Sequence, residues 1–182
     1  FVTMIYQNNG VTKAKVVRMS SDNGLKMIAQ KTIIDNIPSS TKAHQVQAVS
    51  IGFDGKIYIN IADGGEYEMA QVDEDLRGKI LRMNQDGTQQ EVFVTTGGHV
   101  LGFDFDAQGN IIAADVDNGL LSISPDKKIA VLSNAVNGEP IRFADAVAVA
   151  KSGKLYFSDA TMRFAPKEWG GIFKASMLDI LE

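Results

Sequence analysis

AVSIGFDGKIYINIAD, at residues 48–63, joins an alternating apolar run, a turn at Gly55, a second apolar run and a final Asp. The same order recurs in VLGFDFDAQGNIIAAD at 100–115 and in DAVAVAKSGKLYFSDA at 145–160. Alternation on both sides of a glycine turn predicts a β-hairpin. The turn glycines, Gly55, Gly109 and Gly153, are 54 and 44 positions apart, and propeller blades repeat at roughly 40 to 50 residues. We therefore predict an all-β fold, a β-propeller of four-stranded antiparallel blades.

Two further apolar runs follow each of the first two hairpins and supply third and fourth strands: KILRMNQDG at 79–87 and QEVFVTT at 90–96, then GLLSISPDK at 119–127 and KIAVLSNAV at 128–136. The polar stretch at 64–78 between the first hairpin and its third strand predicts an inserted loop. The last residues, KEWGGIFKASMLDILE at 167–182, favour a short amphipathic helix over an irregular crossing. An open antiparallel sheet or a sandwich would use the same hairpins, but the repeat favours radial stacking.

We expect one partial propeller domain over residues 1–182, with approximate blades 1–45, 46–97, 98–142 and 143–182. The first blade contributes three outer strands and the last one is incomplete, so about three to four blades are present. The remaining blades are expected from further sequence or from another chain.

Composition limits the chemistry of the chain. There are 22 acidic and 18 basic residues without a long block of either sign, which argues against nucleic acid as a partner. The absence of cysteine excludes disulfides, thiolate nucleophiles and cysteine metal sites. No apolar run reaches the roughly 20 residues of a membrane-spanning segment.

The second half of the chain contains HVLGFDFDAQGNIIAADVDNGLLSISPD and GEPIRFADAVAVAKSGKLYFSDATMRF. On these phrases, residues 97–182 resemble the strictosidine synthase-like proteins, relatives of the gluconolactonase and paraoxonase (senescence marker protein) propellers. Residues 34–88 instead resemble the soluble quinoprotein glucose and sorbosone dehydrogenases, on IPSSTKAHQVQAVSIGFDGKIYINIADGG and LRGKILRMNQDGT. Both resemblances imply a six-bladed ring and a periplasmic or extracellular location, but they imply different reactions.

Propeller sites surround the central channel, so residues that flank the repeated hairpins are the first candidates. This group comprises His44, His99, Asp104, Asp115, Asp145 and Asp159. Such an oxygen-rich set would suit Ca²⁺. For Asp63 and Asp115 a simpler explanation is that the next turn needs side-chain hydrogen bonds to its backbone.

The paraoxonase-like resemblance implies that Asp145 and Asp159 are calcium ligands, and that Asp159 faces the channel and takes part in catalysis. The relatives carry an Asn-Asp pair where this chain has Asp145 and Ala146. The dehydrogenase resemblance implies that His44 is a catalytic base, because it stands where those enzymes deprotonate a sugar hydroxyl. Ala43 and Ala48 replace that family's neighbouring Asp and Arg, which argues against a bound pyrroloquinoline quinone.

These considerations lead to a calcium-dependent hydrolase of lactones or esters, acting on a small-molecule substrate. Two alternatives remain open at this point: a non-enzymatic ligand- or protein-binding propeller, and a quinone-dependent sugar dehydrogenase. Arg77, Lys79 and Arg82 form a small basic group, which we interpret as a solvated strand face rather than an anion site.

Overall fold

A computed structural model describes residues 1–39 and 45–160 of the protein. Its first sheet is a three-stranded antiparallel meander of β1 (Val2–Asn8), β2 (Val11–Ser20) and β3 (Ala29–Pro38). Alternation along β2 turns Ala14 and Val16 toward the next sheet, where both are buried.

The second sheet is a four-stranded meander of β4 (Val46–Ile51), β5 (Ile57–Ile61), β6 (Lys79–Met83) and β7 (Glu91–Val94). All five residues of β5 are buried, because neighbouring sheets cover both of its faces. Residues 62–78, which we call the insert, connect β5 to β6 and include a short 3-10 helix, Tyr67–Gln71. The inserted loop predicted at 64–78 lies within this connection.

The third sheet repeats the meander with β8 (Val100–Phe105), β9 (Ile111–Asp115), β10 (Gly119–Ile123) and β11 (Ile129–Ser133). The predicted fourth strand at 128–136 is too long. After β11 the chain forms a separate small hairpin of β12 (Ala135–Val136) and β13 (Glu139–Pro140). The dipeptide between them is Asn-Gly, which favours a tight hairpin turn over a continuing strand.

The fourth sheet consists of the antiparallel pair β14 (Ala144–Val149) and β15 (Leu155–Asp159). In this sheet and the two before it, the turn glycines predicted from the sequence have positive φ, 73° at Gly55, 82° at Gly109 and 80° at Gly153. The helix predicted at 167–182 lies outside the described residues.

The sheets pack face to face in chain order. One apolar layer joins the first sheet to the second, and another joins the second to the third. Burial of apolar side chains in such layers stabilises the fold by roughly 1.5–3 kcal/mol for each large residue. The first strand of the third sheet, β8, contacts the first strands of both neighbouring sheets, so these first strands form the inner edge of the stack.

Two side chains also fasten neighbouring sheets by hydrogen bonds. Asn60 Nδ2 on β5 donates to the carbonyl oxygens of Val100 (3.0 Å) and Leu101 (2.9 Å). The backbone N–H of Val149 donates to Asp104 Oδ2 at 2.8 Å. Each sheet is therefore a blade, and the chain is a partial β-propeller, which confirms the predicted fold class. Within the described ranges, no helix has the length and apolar character that crossing a bilayer requires.

Candidate functional site at the upper face

One end of the blades collects most of the polar residues selected from the sequence. We call this end the upper face: the place where the second strand of each blade ends and its first strand begins. The same backbone hydrogen bond closes it in three successive blades: Ala62 N to Gln45 O (2.6 Å), Val116 N to His99 O (2.9 Å) and Ala160 N to Phe143 O (2.8 Å). Because the bond repeats, Asp115 and Asp159 occupy equivalent positions, and Asp63 lies two residues further along its blade.

Asp115 organises the upper end of the third sheet. It is fully buried, and its Oδ1 accepts the backbone N–H groups of Asp117 (3.0 Å) and Asn118 (2.9 Å) and the Asn118 side-chain amide (3.1 Å). Its Oδ2 accepts the Thr96 hydroxyl at 2.6 Å. Asp115 is thus a turn-forming residue, as the simpler sequence explanation predicted, and it also holds the connection that leads to His99.

Asp63 and His99 meet between the second and third sheets. The Asp63 Oδ2 lies 3.8 Å from His99 Nδ1, and the two residues are 7% and 4% exposed. Asp63 Oδ1 accepts the backbone N–H of Gly65 at 2.9 Å, so this carboxylate also forms the turn that the sequence predicted. The pair places two ionisable groups from different blades side by side and away from solvent.

Asp145 and Asp159 lie at the upper end of the fourth sheet. Asp159 pairs in register with Ala144, and a bulge begins at the next residue, Asp145. Asp159 is exposed and Asp145 is half-buried. The two Asp159 oxygens accept the backbone N–H groups of Phe143 (3.1 Å) and Arg142 (3.2 Å), which orients the carboxylate on the connection before β14.

The predicted metal and catalytic residues remain predictions at this point. His44 lies outside the described residues. Within 1–39 and 45–160, no three His, Asp or Glu side chains are close enough together to hold a metal ion. Asp145 and Asp159, at the upper end of the fourth sheet, carry carboxylate oxygens, the ligand type that Ca²⁺ prefers. A complete coordination sphere would need further ligands.

The interpretation of Arg77, Lys79 and Arg82 as a solvated strand face is wrong. Arg77 and Lys79 are 5% and 1% exposed, and Arg82 is half-buried in an ion pair with Glu91. The carboxylate of Asp75 hydrogen-bonds Arg77 and raises the pKa of its guanidinium further above the usual range. Arg77 and Lys79 are buried because acidic side chains and carbonyl oxygens of the folded insert surround them, an arrangement that local spacing does not reveal.

Sequence reasoning also missed residues that shape the upper face. Thr96 and Asn118 bind the Asp115 carboxylate, and Asn60 spans two blades. The stretch DVDNG at 115–119 contained a signal for Asn118, since Asp and Asn in such a run favour turns closed by side chains. The role of Asn60, in the apolar run IYINI, had no local signal.

A stack of antiparallel blades with a polar upper face defines the chain as part of the β-propeller superfamily that includes several enzyme families. The model of the family described as glucose/sorbosone dehydrogenase matches residues 1–99. The chain belongs to this family, which confirms the β-propeller kinship inferred from the sequence.

Individual proteins show the same kinship. The strictosidine synthase-like 7 protein of Arabidopsis thaliana is 45% identical over 75 residues, which cover 41% of this chain and 20% of the relative. A Bacteroides caccae protein of unknown function has a TM-score of 0.59 at 11% identity, covering 91% of this chain and 60% of that one. The PQQ-bound aldose sugar dehydrogenase of Streptomyces coelicolor has a TM-score of 0.56 at 17% identity, covering 86% and 55%.

At 11% and 17% identity, the similarities to these two solved structures show the fold only. The matched segment spans about a fifth of the length of the Arabidopsis relative.

Proposed function

We propose that the complete protein hydrolyses a lactone or an ester of a small molecule at the upper face, with Asp145 and Asp159 as oxygen ligands of Ca²⁺. The observation that carries this proposal is the register of the fourth sheet, which pairs Asp159 with Ala144 and so brings Asp145 to the same end of one hairpin. Two carboxylates on adjacent strands are a donor set that suits a hard divalent cation.

The contacts of Asp159 are compatible with this role. Each of its two carboxylate oxygens accepts one backbone N–H group, from Phe143 and from Arg142. These hydrogen bonds orient the side chain, as the supporting contacts of metal ligands do. When bound, Ca²⁺ would polarise the substrate carbonyl. Further ligands would come from residues beyond those described.

His44 is the proposed base that removes a proton from the attacking water. Imidazole is suited to this task because its ordinary pKa lies near neutrality. This assignment rests on the sequence, where His44 stands two residues before β4. The buried pair Asp63 and His99 is a less suitable base, since both residues are almost fully covered.

A second candidate is a quinone-dependent sugar dehydrogenase, favoured by the family match over residues 1–99. Pyrroloquinoline quinone carries several carboxylates, so its site needs cationic side chains. In the described part of the first two blades, Arg77 in the insert and Lys79 directly after it are already engaged: Arg77 with Asp75 and Glu66, and Lys79 with three carbonyl groups. These residues do not fit the quinone, and we derive no step through it.

The test uses the full-length protein. Calcium binding is measured by calorimetry, and hydrolysis is followed with a pH indicator on panels of lactones and aryl esters. Asp159→Asn should weaken calcium binding by about tenfold or more, because calcium affinity depends on ligand charge. Asp126→Asn is the matched control, since Asp126 is an exposed carboxylate in the turn between β10 and β11.

The outcomes separate the candidates. Calcium binding and hydrolysis that both fall in Asp159→Asn, but not in the control, support the proposal. Reduction of a dye by aldoses after addition of quinone and calcium would favour the dehydrogenase. Absence of calcium binding and of hydrolysis in the full-length protein would refute the hydrolase.

A further inference from the structure

The insert encloses a buried lysine. Lys79 is the first residue of β6 and is 1% exposed. Its ammonium group donates to the carbonyl oxygens of Val72 (2.7 Å), Arg77 (3.1 Å) and Ala70 (3.4 Å). An ammonium group has three hydrogens, so the three carbonyl oxygens match its donor capacity.

Burial and nearby carboxylates act in opposite directions on the charge of Lys79. Burial lowers the pKa of Lys79, and the nearby carboxylates of Asp75, Asp73 and Glu74 act in the opposite direction. A charged group is buried without large cost only when it is paired or fully hydrogen-bonded. Three converging carbonyl dipoles therefore form a small cage that stabilises one monovalent cation.

The cage has a second support that does not involve Lys79. The Arg77 guanidinium binds Asp75 through two parallel hydrogen bonds of 2.8 and 2.7 Å, and it binds Glu66 at 2.5 Å. This clamp connects the beginning of the insert to its end, and the Arg77 and Asp75 side chains in it are 7% and 12% exposed, whereas Glu66 is 47% exposed. The carbonyl groups should therefore stay close to their positions when the lysine side chain is shortened.

We propose that the carbonyl oxygens of Ala70, Val72 and Arg77 form a binding site for a small ammonium-type cation, which Lys79 fills from within the chain. A free primary ammonium ion occupies the same site when the side chain is truncated. Because this cation is covalently attached to the chain, the insert, which contains Asp63, should keep its conformation when the salt concentration changes. This inference does not depend on the proposed function.

The test is chemical rescue in the full-length protein carrying Lys79→Ala. Hydrogen exchange of the amides in residues 62–78 should become about ten- to a hundredfold faster, since buried carbonyls lose their donors. Ethylammonium chloride should restore protection along a saturable curve. Tetramethylammonium chloride at equal concentration should not, because it carries the same charge without an N–H donor. Lys154→Ala, which removes an exposed lysine, is the control and should leave the insert unchanged.

Two further measurements decide the matter if Lys79→Ala does not fold. Lys79→Met keeps the length of the side chain without its charge, so the insert should exchange faster and ethylammonium should not restore it. In the unmodified protein, competitive acetylation should label Lys79 far more slowly than Lys154. Wild-type protection in Lys79→Met, equal rescue by both salts, or equal labelling of the two lysines would overturn the proposal.

Discussion

Replacement of Asp115 by Ala tests the organisation of the upper face. The buried carboxylate accepts four hydrogen bonds, one from Thr96, one from Asp117 and two from Asn118. A hydrogen bond to a charged group contributes about 1.5–3 kcal/mol, but turn N–H groups partly regain water after truncation. Asp117 is exposed and Asn118 half-buried, so we expect a loss of about 4 kcal/mol in the free energy of unfolding rather than the full sum.

Asp115→Asn separates hydrogen bonding from charge. The amide oxygen can still accept from the turn, and the amide nitrogen can donate to the Thr96 hydroxyl, which also accepts hydrogen bonds. We therefore expect a loss of only about 1 kcal/mol.

Urea titration of the full-length protein, followed by circular dichroism and tryptophan fluorescence, measures both losses. Asp126→Ala, which truncates an exposed carboxylate bonded to Ser124 and Lys128, should shift the transition far less than Asp115→Ala and serves as the control. Equal losses for Asp115→Ala and Asp115→Asn, or a loss below about 1 kcal/mol for the alanine variant, would refute this account of the hydrogen-bonded turn.

Two further predictions concern backbone packing and acid stability. Gly87→Ala should cost about 2–3 kcal/mol in a urea titration, because φ is 88° and a Cβ atom would lie 2.6 Å from the carbonyl oxygen of Ile33. Gly10→Ala, with φ of 79° and open space around it, should cost only about 1 kcal/mol, and equal costs would contradict the packing argument. The hydrogen bond from Arg77 lowers the pKa of Asp75, so its stabilisation is complete above the ordinary value of 3.8 and is lost as the pH falls through the lowered one. Asp75→Asn should therefore flatten the decline of unfolding free energy below about pH 4, measured by urea titration at successive pH values, and an unchanged slope would show that this pair does not set the acid stability.

The fold was largely predictable because its signals are local. The alternation in AVSIGFDGKIYINIAD and its two repeats depends on neighbours a few residues apart, and the spacing of Gly55, Gly109 and Gly153 determines the repeat. The turn-forming role of Asp115 was predictable for the same reason, since its turn donors lie two and three residues along the chain. The end of β11 was misplaced because apolar residues resume at Ala135 after the polar pair Ser133 and Asn134, so the stretch KIAVLSNAV continues to the Asn-Gly turn.

The candidate site was less predictable because its contacts join distant parts of the chain. Asp63 and His99 come from different blades, and the burial of Arg77 and Lys79 depends on how the insert folds back on itself. The equivalence of Asp115 and Asp159, with Asp63 displaced by two residues, became visible only through the repeated backbone bond at the upper face.

The amino-acid sequence alone determines the hairpins, their repeat and the propeller class, because strand alternation and turn chemistry act between near neighbours. It also determines which residues are available for chemistry. Tertiary structure decides where their charges lie: it buries Arg77 and Lys79, pairs Asp63 with His99, and brings Asp145 and Asp159 to one end of a hairpin. The reason is that burial and electrostatic pairing depend on the stacking of whole blades, which brings together residues that are far apart in the chain.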